Sequence, residues 1–382
     1  MKRGTRSFAS YSAKSNKTHS KMSASTIIPL SVAPMMQWTD RHWRYLMRQH
    51  TEKTLLYTEM IMDDALIYNH PHRLESFLGH SDIEHPLAVQ LGGSDPEKLG
   101  KAAAICEEYK QFHEINLNCG CPSNKAKKAG FGAELMLEPD LVRQIVYEMK
   151  KQVSTTDITV KCRLGVTGRE QWGDLVEFVQ AVKSGGVNTM IIHARHCVLK
   201  GLSPAQNRNI PPLCYDQVHE LVQLFPDMRF ILNGGITSFD QAKEHLYNDN
   251  YVSKSLLSLP EVHGVMIGRE AYNNPYSMCT ADQNFFGMED KPVPSRGHIL
   301  EAYLDYAVKM QEQDAFGNRS AGLAKPLHNF FTNCKNNPQY KVVLDQMLKQ
   351  ESKLIDEGKI QFNEFIWRAV DSTIDKNLLW NE

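Results

Sequence analysis

Between about residues 30 and 267 the chain alternates eight short strand-like runs with helix-like runs, and this alternation constrains the fold more than any other feature. The strand candidates are Leu30–Pro34, Leu55–Met60, Leu87–Leu91, Glu114–Asn118, Ile158–Arg163, Met190–Ala194, Arg229–Leu232 and Gly264–Ile267. Between them the apolar residues recur at helical spacing. From Pro96 to Lys110, for example, Leu99, Ala102, Ala103, Cys106 and Tyr109 fall on one helix face. Strands joined by helices of this length pair in parallel, and eight such units argue for a closed (β/α)8 TIM barrel over an open sheet.

The strands also show which of their faces carry chemistry, because strand side chains alternate with a period of two. Ile115 and Leu117 oppose Asn116 and Asn118; Val160 and Cys162 oppose Lys161 and Arg163; Ile192 and Ala194 oppose His193 and Arg195. The apolar face packs on the helices, so the polar face points inward. Cations and amides gathered there are costly unless they bind something polar or charged. The fourth strand runs straight into a turn, Asn118-Cys119-Gly120-Cys121-Pro122-Ser123. This places Cys121 on the rim where barrels carry their chemistry. The next stretch, Asn124 to Leu135, is basic and glycine-punctuated, with Lys125, Lys127, Lys128, Gly130 and Gly132, and reads as a mobile loop suited to a polyanion. No helix N-terminus is expected beside Cys121, since Pro122 follows it.

Further segments appear in a fixed order: Ala33-Pro34-Met35, Gln90-Leu91-Gly92-Gly93-Ser94, Lys161-Cys162-Arg163-Leu164-Gly165, His193-Ala194-Arg195, Gly201-Leu202-Ser203-Pro204, Asn233-Gly234-Gly235 and Ile267-Gly268-Arg269. With the Cys121 turn, this ordered set resembles the tRNA-dihydrouridine synthases, specifically their A-type branch. The resemblance implies an FMN-dependent enzyme that reduces a D-loop uridine, at position 20 or 20a, to 5,6-dihydrouridine. NADPH (or NADH) would reduce the flavin, hydride would reach C6 of the uracil, and Cys121 would give the proton to C5. An ordinary thiol, with a pKa of about 8.5, is mostly protonated at neutral pH and can act as such an acid. The loop lysines could favour a thiolate instead, so the residues alone leave acid and nucleophile both open.

By the same resemblance Ala33, Pro34 and Met35 lie beneath the flavin ring through backbone contacts, Gln90 bonds its pyrimidine end, Lys161 sits near N1 and O2, and His193 belongs to the same shell. The phosphate expectation has an independent basis. Barrels often bind phosphate with the loops after strands 7 and 8, here Asn233-Gly234-Gly235 and Gly268-Arg269. A phosphate there fits FMN or a sugar phosphate equally. For tRNA, the resemblance points to Asn118 near the target nucleotide, and to Arg195 and Arg208. Ala205 stands where the A-type lysine would be, with Lys200 nearby.

The chain has 382 residues, enough for a barrel of about 250 residues and a second domain. A net charge of −1 excludes a generally basic protein, so RNA would need a local basic face. The eight cysteines show no CxxC pair, and Cys119-x-Cys121 alone is a poor zinc signal, so no metal site is expected. No apolar run reaches the roughly 20 residues needed to cross a bilayer. Residues 1–28 hold six lysines and arginines with no acid before Asp40. They read as a transit peptide to a mitochondrion or plastid, or as a disordered basic tail on a cytoplasmic protein.

Residues 29–290 are expected to form the FMN-binding barrel. Residues 291–382 are expected to form a helical tRNA-binding domain, with helices at His298–Gln313, Ala321–Thr332, Gln339–Lys349 and Phe362–Asp375. Arg319, Lys325, His328, Lys335 and Lys341 are its candidate phosphate contacts. Residues 249–261 read as an insertion on the face away from the site. A monomer is implied. Two rivals fit parts of the pattern: a flavin reductase of a free pyrimidine, and a tRNA-binding protein without catalysis.

Overall fold

The computed structural model describes residues 28–71, 73–109, 111–247, 260–313 and 319–380. The basic tail up to residue 27 and most of the 249–261 insertion lie outside them.

Eight parallel strands form one sheet: β1 Leu30–Val32, β2 Leu56–Met62, β3 Leu87–Gly92, β4 Glu114–Cys119, β5 Asp157–Arg163, β6 Thr189–His193, β7 Arg229–Asn233 and β8 Gly264–Ile267. From β2 through β8 each strand pairs with the next, and β8 pairs with β1. The remaining seam is thin. A bridge between Ser31 and Leu55 closes it, with Val32 N donating to Leu55 O at 2.9 Å and Leu55 N to Leu30 O at 3.1 Å. The sheet is therefore the expected (β/α)8 barrel, and each of its eight strands covers or overlaps the run read from the sequence.

The helix around Leu99 spans Pro96–Tyr109, and its apolar stripe is buried as the spacing requires. The helix Arg41–His50 is N-capped by Asp40, whose carboxylate accepts from Trp43 N at 3.0 Å. Its Arg48 donates to the carbonyls of Thr51, Thr54, Glu84 and Pro86, which ties the lower end of the barrel around one guanidinium.

Two apolar layers sandwich the strands. One lies between sheet and helices. The other is inside the barrel, where Ala33, Leu55, Tyr57, Ala88, Ile191, Ile231 and Met266 pack together. The rest of the interior is polar and comes mainly from β3, β4 and β5, with His193 of β6 and Asn233 of β7. Strand β2 carries a bulge between Tyr57 and Met60. A bulge re-aims side chains, and here Glu59 accepts a hydrogen bond from the amide of Gln37, at the barrel mouth.

Beyond the barrel the chain is helical: Arg296–Glu312, Ser320–Ala324, a 3-10 turn at Lys325–Asn329, Asn337–Asp356, Phe362–Asp371 and Asn377–Trp380. These helices surround their own apolar cluster, built on Leu300, Tyr303, Phe330, Phe331 and Phe365 and joined by Leu46 from the barrel. The segment read as one helix over Ala321–Thr332 is two short turns, because Pro326 cannot donate its amide to a continuing helix. No helix among the described residues is long and apolar enough to cross a membrane.

Candidate active site at the barrel mouth

Register brings the chemistry to one end of the barrel. Asn118 of β4 lies opposite Lys161 of β5, and Arg163 of β5 opposite His193 of β6, which in turn faces Asn233 of β7. All of these are at the C-terminal ends of their strands.

Cys121 is held by its backbone. Its amide and that of Gly120 both donate to Asn118 Oδ1 at 3.0 Å, an Asx turn that shapes the Gly-Cys corner. Arg163 Nε donates to Gly120 O at 3.0 Å, and Ala133 N donates to Cys121 O at 3.0 Å. Gly132 closes the other side at φ +69°, where an added Cβ would sit 2.7 Å from Cys121 O. Only glycine fits there. The Cys121 side chain is half-buried on the rim.

Two expectations about this neighbourhood are corrected. The basic stretch after Cys121 is built rather than loose: Asn124–Lys128 is a short helix capped by Ser123, followed by a 3-10 turn over Gly132–Leu137. Lys127 Nζ donates to Leu199 O at 3.2 Å and fastens this stretch to the loop after β6. A helix N-terminus therefore does stand two residues from Cys121, because the Ser123 hydroxyl accepts from Ala126 N and caps it.

Five cations crowd the mouth, and their hydrogen bonds go to carbonyls and amides. Lys161 donates to Asn233 Oδ1 at 2.9 Å. Arg163 also donates to Asn207 O at 3.0 Å, Arg195 to Pro211 O, and Arg269 to Asn209 Oδ1 at 2.8 Å. Arg208 sits on the 3-10 turn Gln206–Arg208. The Nε atoms of Arg195 and Arg208 are buried and have no acceptor among the described residues. None of the five pairs with a carboxylate among the described residues.

The electrostatic consequences follow. Burial, then the charge of Arg163, lowers Lys161 to about 8. Burial and the surrounding Arg163, Lys161, Arg195 and Arg269 hold the His193 imidazole well below its ordinary value, so it is neutral. Burial and Arg269 also lower Arg208. Unbalanced positive charge gathered at the barrel mouth makes an anion site.

The expected phosphate end is shaped for one. Gly234 and Gly235 have φ of +115° and +73°. An added Cβ on Gly234 would meet His193 Cδ2 at 2.6 Å, so backbone and imidazole touch only because the residue is glycine. Tyr215 donates to Gly234 O at 2.7 Å and holds the turn. Gly268 follows β8 and precedes the helical turn Arg269–Asn273. These features, with Arg269 alongside, fit the phosphate of an FMN.

The segment Ala33-Pro34-Met35 follows β1 and leaves no backbone N–H for a ligand. The amide of Ala33 donates to Ile267 O at 2.8 Å and that of Met35 to Thr39 Oγ1 at 3.0 Å, while proline has no amide hydrogen. What remains is apolar surface and carbonyl oxygen. Gln90 is buried inside the barrel, bonded to Asn116 and Asn118. Ala205 is exposed and can replace no lysine contact.

In the helical segments several candidate phosphate contacts have protein partners. Lys325 pairs with Asp40 at 3.1 Å, Lys341 donates to Asn329 Oδ1 at 2.7 Å, and His328 lies 3.6 Å from Asp345. Lys325 ties the helices to the barrel. Two residues of the site went unassigned in the sequence. Arg163 stood in the Lys161–Gly165 segment and on the inward strand face but was given no role. Asn207 had no signal, yet it is fully buried and bonds Val198 N and O at 2.8 and 2.9 Å, ordering the loop that carries Arg208.

The sequence pattern of the dihydrouridine synthase (Dus) family matches residues 31–366, which takes in all eight strands and most of the C-terminal helices. The chain belongs to the dihydrouridine synthase family. It is a flavin-dependent oxidoreductase of that family, close to its A-type members. A tRNA-dihydrouridine(20/20a) synthase of Pseudomonas putida is 45% identical over 74% of this chain and 78% of its own length. The protein of the same name from Synechocystis sp. is 43% identical over 80% of this chain and 85% of its own. That from Vibrio parahaemolyticus is 42% identical over 82% and 89%.

Proposed function

We propose that this protein reduces uridine at position 20 or 20a of the tRNA D-loop to 5,6-dihydrouridine, with NADPH as reductant. The observation that carries the reading is a half-buried cysteine, fixed by its backbone, beside a mouth of five cations that have no carboxylate partner among the described residues. FMN, when bound, supplies the hydride for C6 of the uracil. Gly234, Gly235, Gly268 and Arg269 would hold its phosphate, and Lys161 would place a cation by the ring. Neutral His193 can donate or accept a hydrogen bond there without adding charge. Cys121 gives a proton to C5 as general acid. Arg163, Arg195 and Arg208 offer charge to the nucleotide's phosphates, and the target base must leave its stack to reach the rim.

The decisive experiment maps dihydrouridine by nucleotide in tRNA from cells with and without the protein. Loss at position 20 or 20a is expected. An unchanged profile, in a strain with no second such enzyme, would move the reading to reduction of a free pyrimidine. Cys121→Ala is expected to keep FMN and tRNA binding while turnover falls by about a hundredfold or more; full turnover would refute the acid role. The N-terminal tail is read as an organellar transit peptide or as a basic tail on a cytoplasmic protein, and fractionation of a tagged full-length chain would decide between them.

A further inference from the structure

Inside the barrel an unbroken chain of hydrogen bonds runs from the Cys121 turn to the opposite end. Gly120 and Cys121 amides donate to Asn118 Oδ1; Asn118 Nδ2 donates to Gln90 Oε1 at 2.8 Å; Gln90 Nε2 donates to Asn116 Oδ1 at 2.8 Å. Asn116 Nδ2 then donates to Thr159 Oγ1 at 2.8 Å, and the Thr159 hydroxyl to Glu114 Oε1 at 2.8 Å. Tyr57 donates to the same Glu114 oxygen. Strand register makes this possible, since Gln90 pairs with Asn116 and Asn116 with Thr159. Gln90, Asn116 and Thr159 are almost fully buried.

The chain has one direction. A backbone amide can only donate, so Asn118 must turn its oxygen toward Cys121 and its nitrogen toward Gln90. Each later carboxamide is then fixed in turn, and the hydroxyl and carboxyl at the far end accept what arrives. Flipping any member sets two donors or two acceptors against each other in a buried place, where a lost hydrogen bond costs about 1–3 kcal/mol. Bonds in such a chain also polarise one another.

We propose that Asn116, Thr159 and Glu114, none of which lies at the mouth, are positioning residues that hold the Gln90 and Asn118 carboxamides in the orientation the Cys121 turn requires and so steady that turn. The two carboxamides keep one N–H each that the chain does not use. The inference deepens the proposed function, and its main readout does not depend on that function.

The test compares Thr159→Val, Thr159→Ser and Tyr57→Phe with the wild type. Thr159→Val cuts the chain, Thr159→Ser preserves the hydroxyl, and Tyr57→Phe removes a donor to the same carboxyl without cutting the chain. Amide hydrogen exchange is measured on the peptide holding Gly120 and Cys121, in flavin-free protein, beside an FMN titration. Thr159→Val is expected to speed exchange of those two amides about tenfold and to weaken FMN by a similar factor; Thr159→Ser and Tyr57→Phe are expected to match the wild type.

Equal exchange in Thr159→Val and wild type, or an equal rise in Tyr57→Phe, overturns the proposal. Asn116→Leu cuts the chain one link higher and should reproduce the effect. If both cut chains fail to fold while Tyr57→Phe folds, the chain supports the barrel rather than the mouth, and the proposal fails. A wild type that takes up no FMN would refute the cofactor reading alone and leave the exchange comparison standing.

Discussion

Lys161→Met should make the flavin-free protein more stable. Lys161 is charged among other cations, on an inward strand position, with Asn233 as its hydrogen-bond partner. Its fall from 10.5 to about 8, at about 1.4 kcal/mol per pH unit, means that folding with the ammonium charged costs roughly 3 kcal/mol at neutral pH. Part of the side chain is still open to the mouth, and the bond to Asn233, worth about 1 kcal/mol, is lost with it. The net gain from methionine, which has similar length and no charge, is then about 1–2 kcal/mol.

The sign with pH follows from proton binding. Between about 8 and 10.5 the unfolded chain holds the Lys161 proton more often than the folded one, so wild-type stability rises with pH there. The variant lacks this contribution, and its advantage should shrink over that interval. Urea unfolding of both flavin-free proteins near neutral pH and again near pH 10 reads the difference directly. A variant less stable than wild type near neutral pH, or a gap that does not change with pH, would refute the argument that the mouth is strained by unbalanced charge. Flavin binding should weaken in the same variant, since the cation serves the ligand and not the fold.

Three further outcomes are expected. Gly234→Ala forces an L-residue to φ +115° and drives its Cβ into His193; a loss of about 1–3 kcal/mol in unfolding free energy and weakened FMN uptake should follow, and a neutral substitution would contradict the close approach. Glu114 is raised by burial from 4.5 to about 7, so the folded state holds more protons than the unfolded one in that interval and this group lowers stability as pH rises through it. Glu114→Gln should flatten that part of the stability profile, as denaturation at several pH values will show. Arg269→Ala should weaken FMN about tenfold or more by removing a charged partner of the phosphate, with riboflavin, which has none, losing nothing; equal losses for both would place the phosphate elsewhere.

Much of this was written in local sequence. Eight alternations of period two and period 3.6 determined the barrel, because each element must bury one face and the order of elements leaves few ways to do so. The inward position of Lys161, Arg163, His193 and Asn118 followed from strand alternation alone, and Gly-Cys at a strand end put Cys121 on the rim. Other features needed the third dimension. Asn207 ordering the loop of Arg208 and Lys325 reaching Asp40 join residues whose partners no spacing rule supplies. The donors of Ala33 and Met35 were also unreadable, since their acceptors lie on Ile267 and Thr39. The buried chain from Cys121 to Glu114 depends on the register of three strands, and register is set by packing across the whole barrel. The sequence by itself thus determined which residues face inward. Only the closed barrel decided which of them touch, because a hydrogen bond depends on tenths of an ångström between strands far apart in the chain.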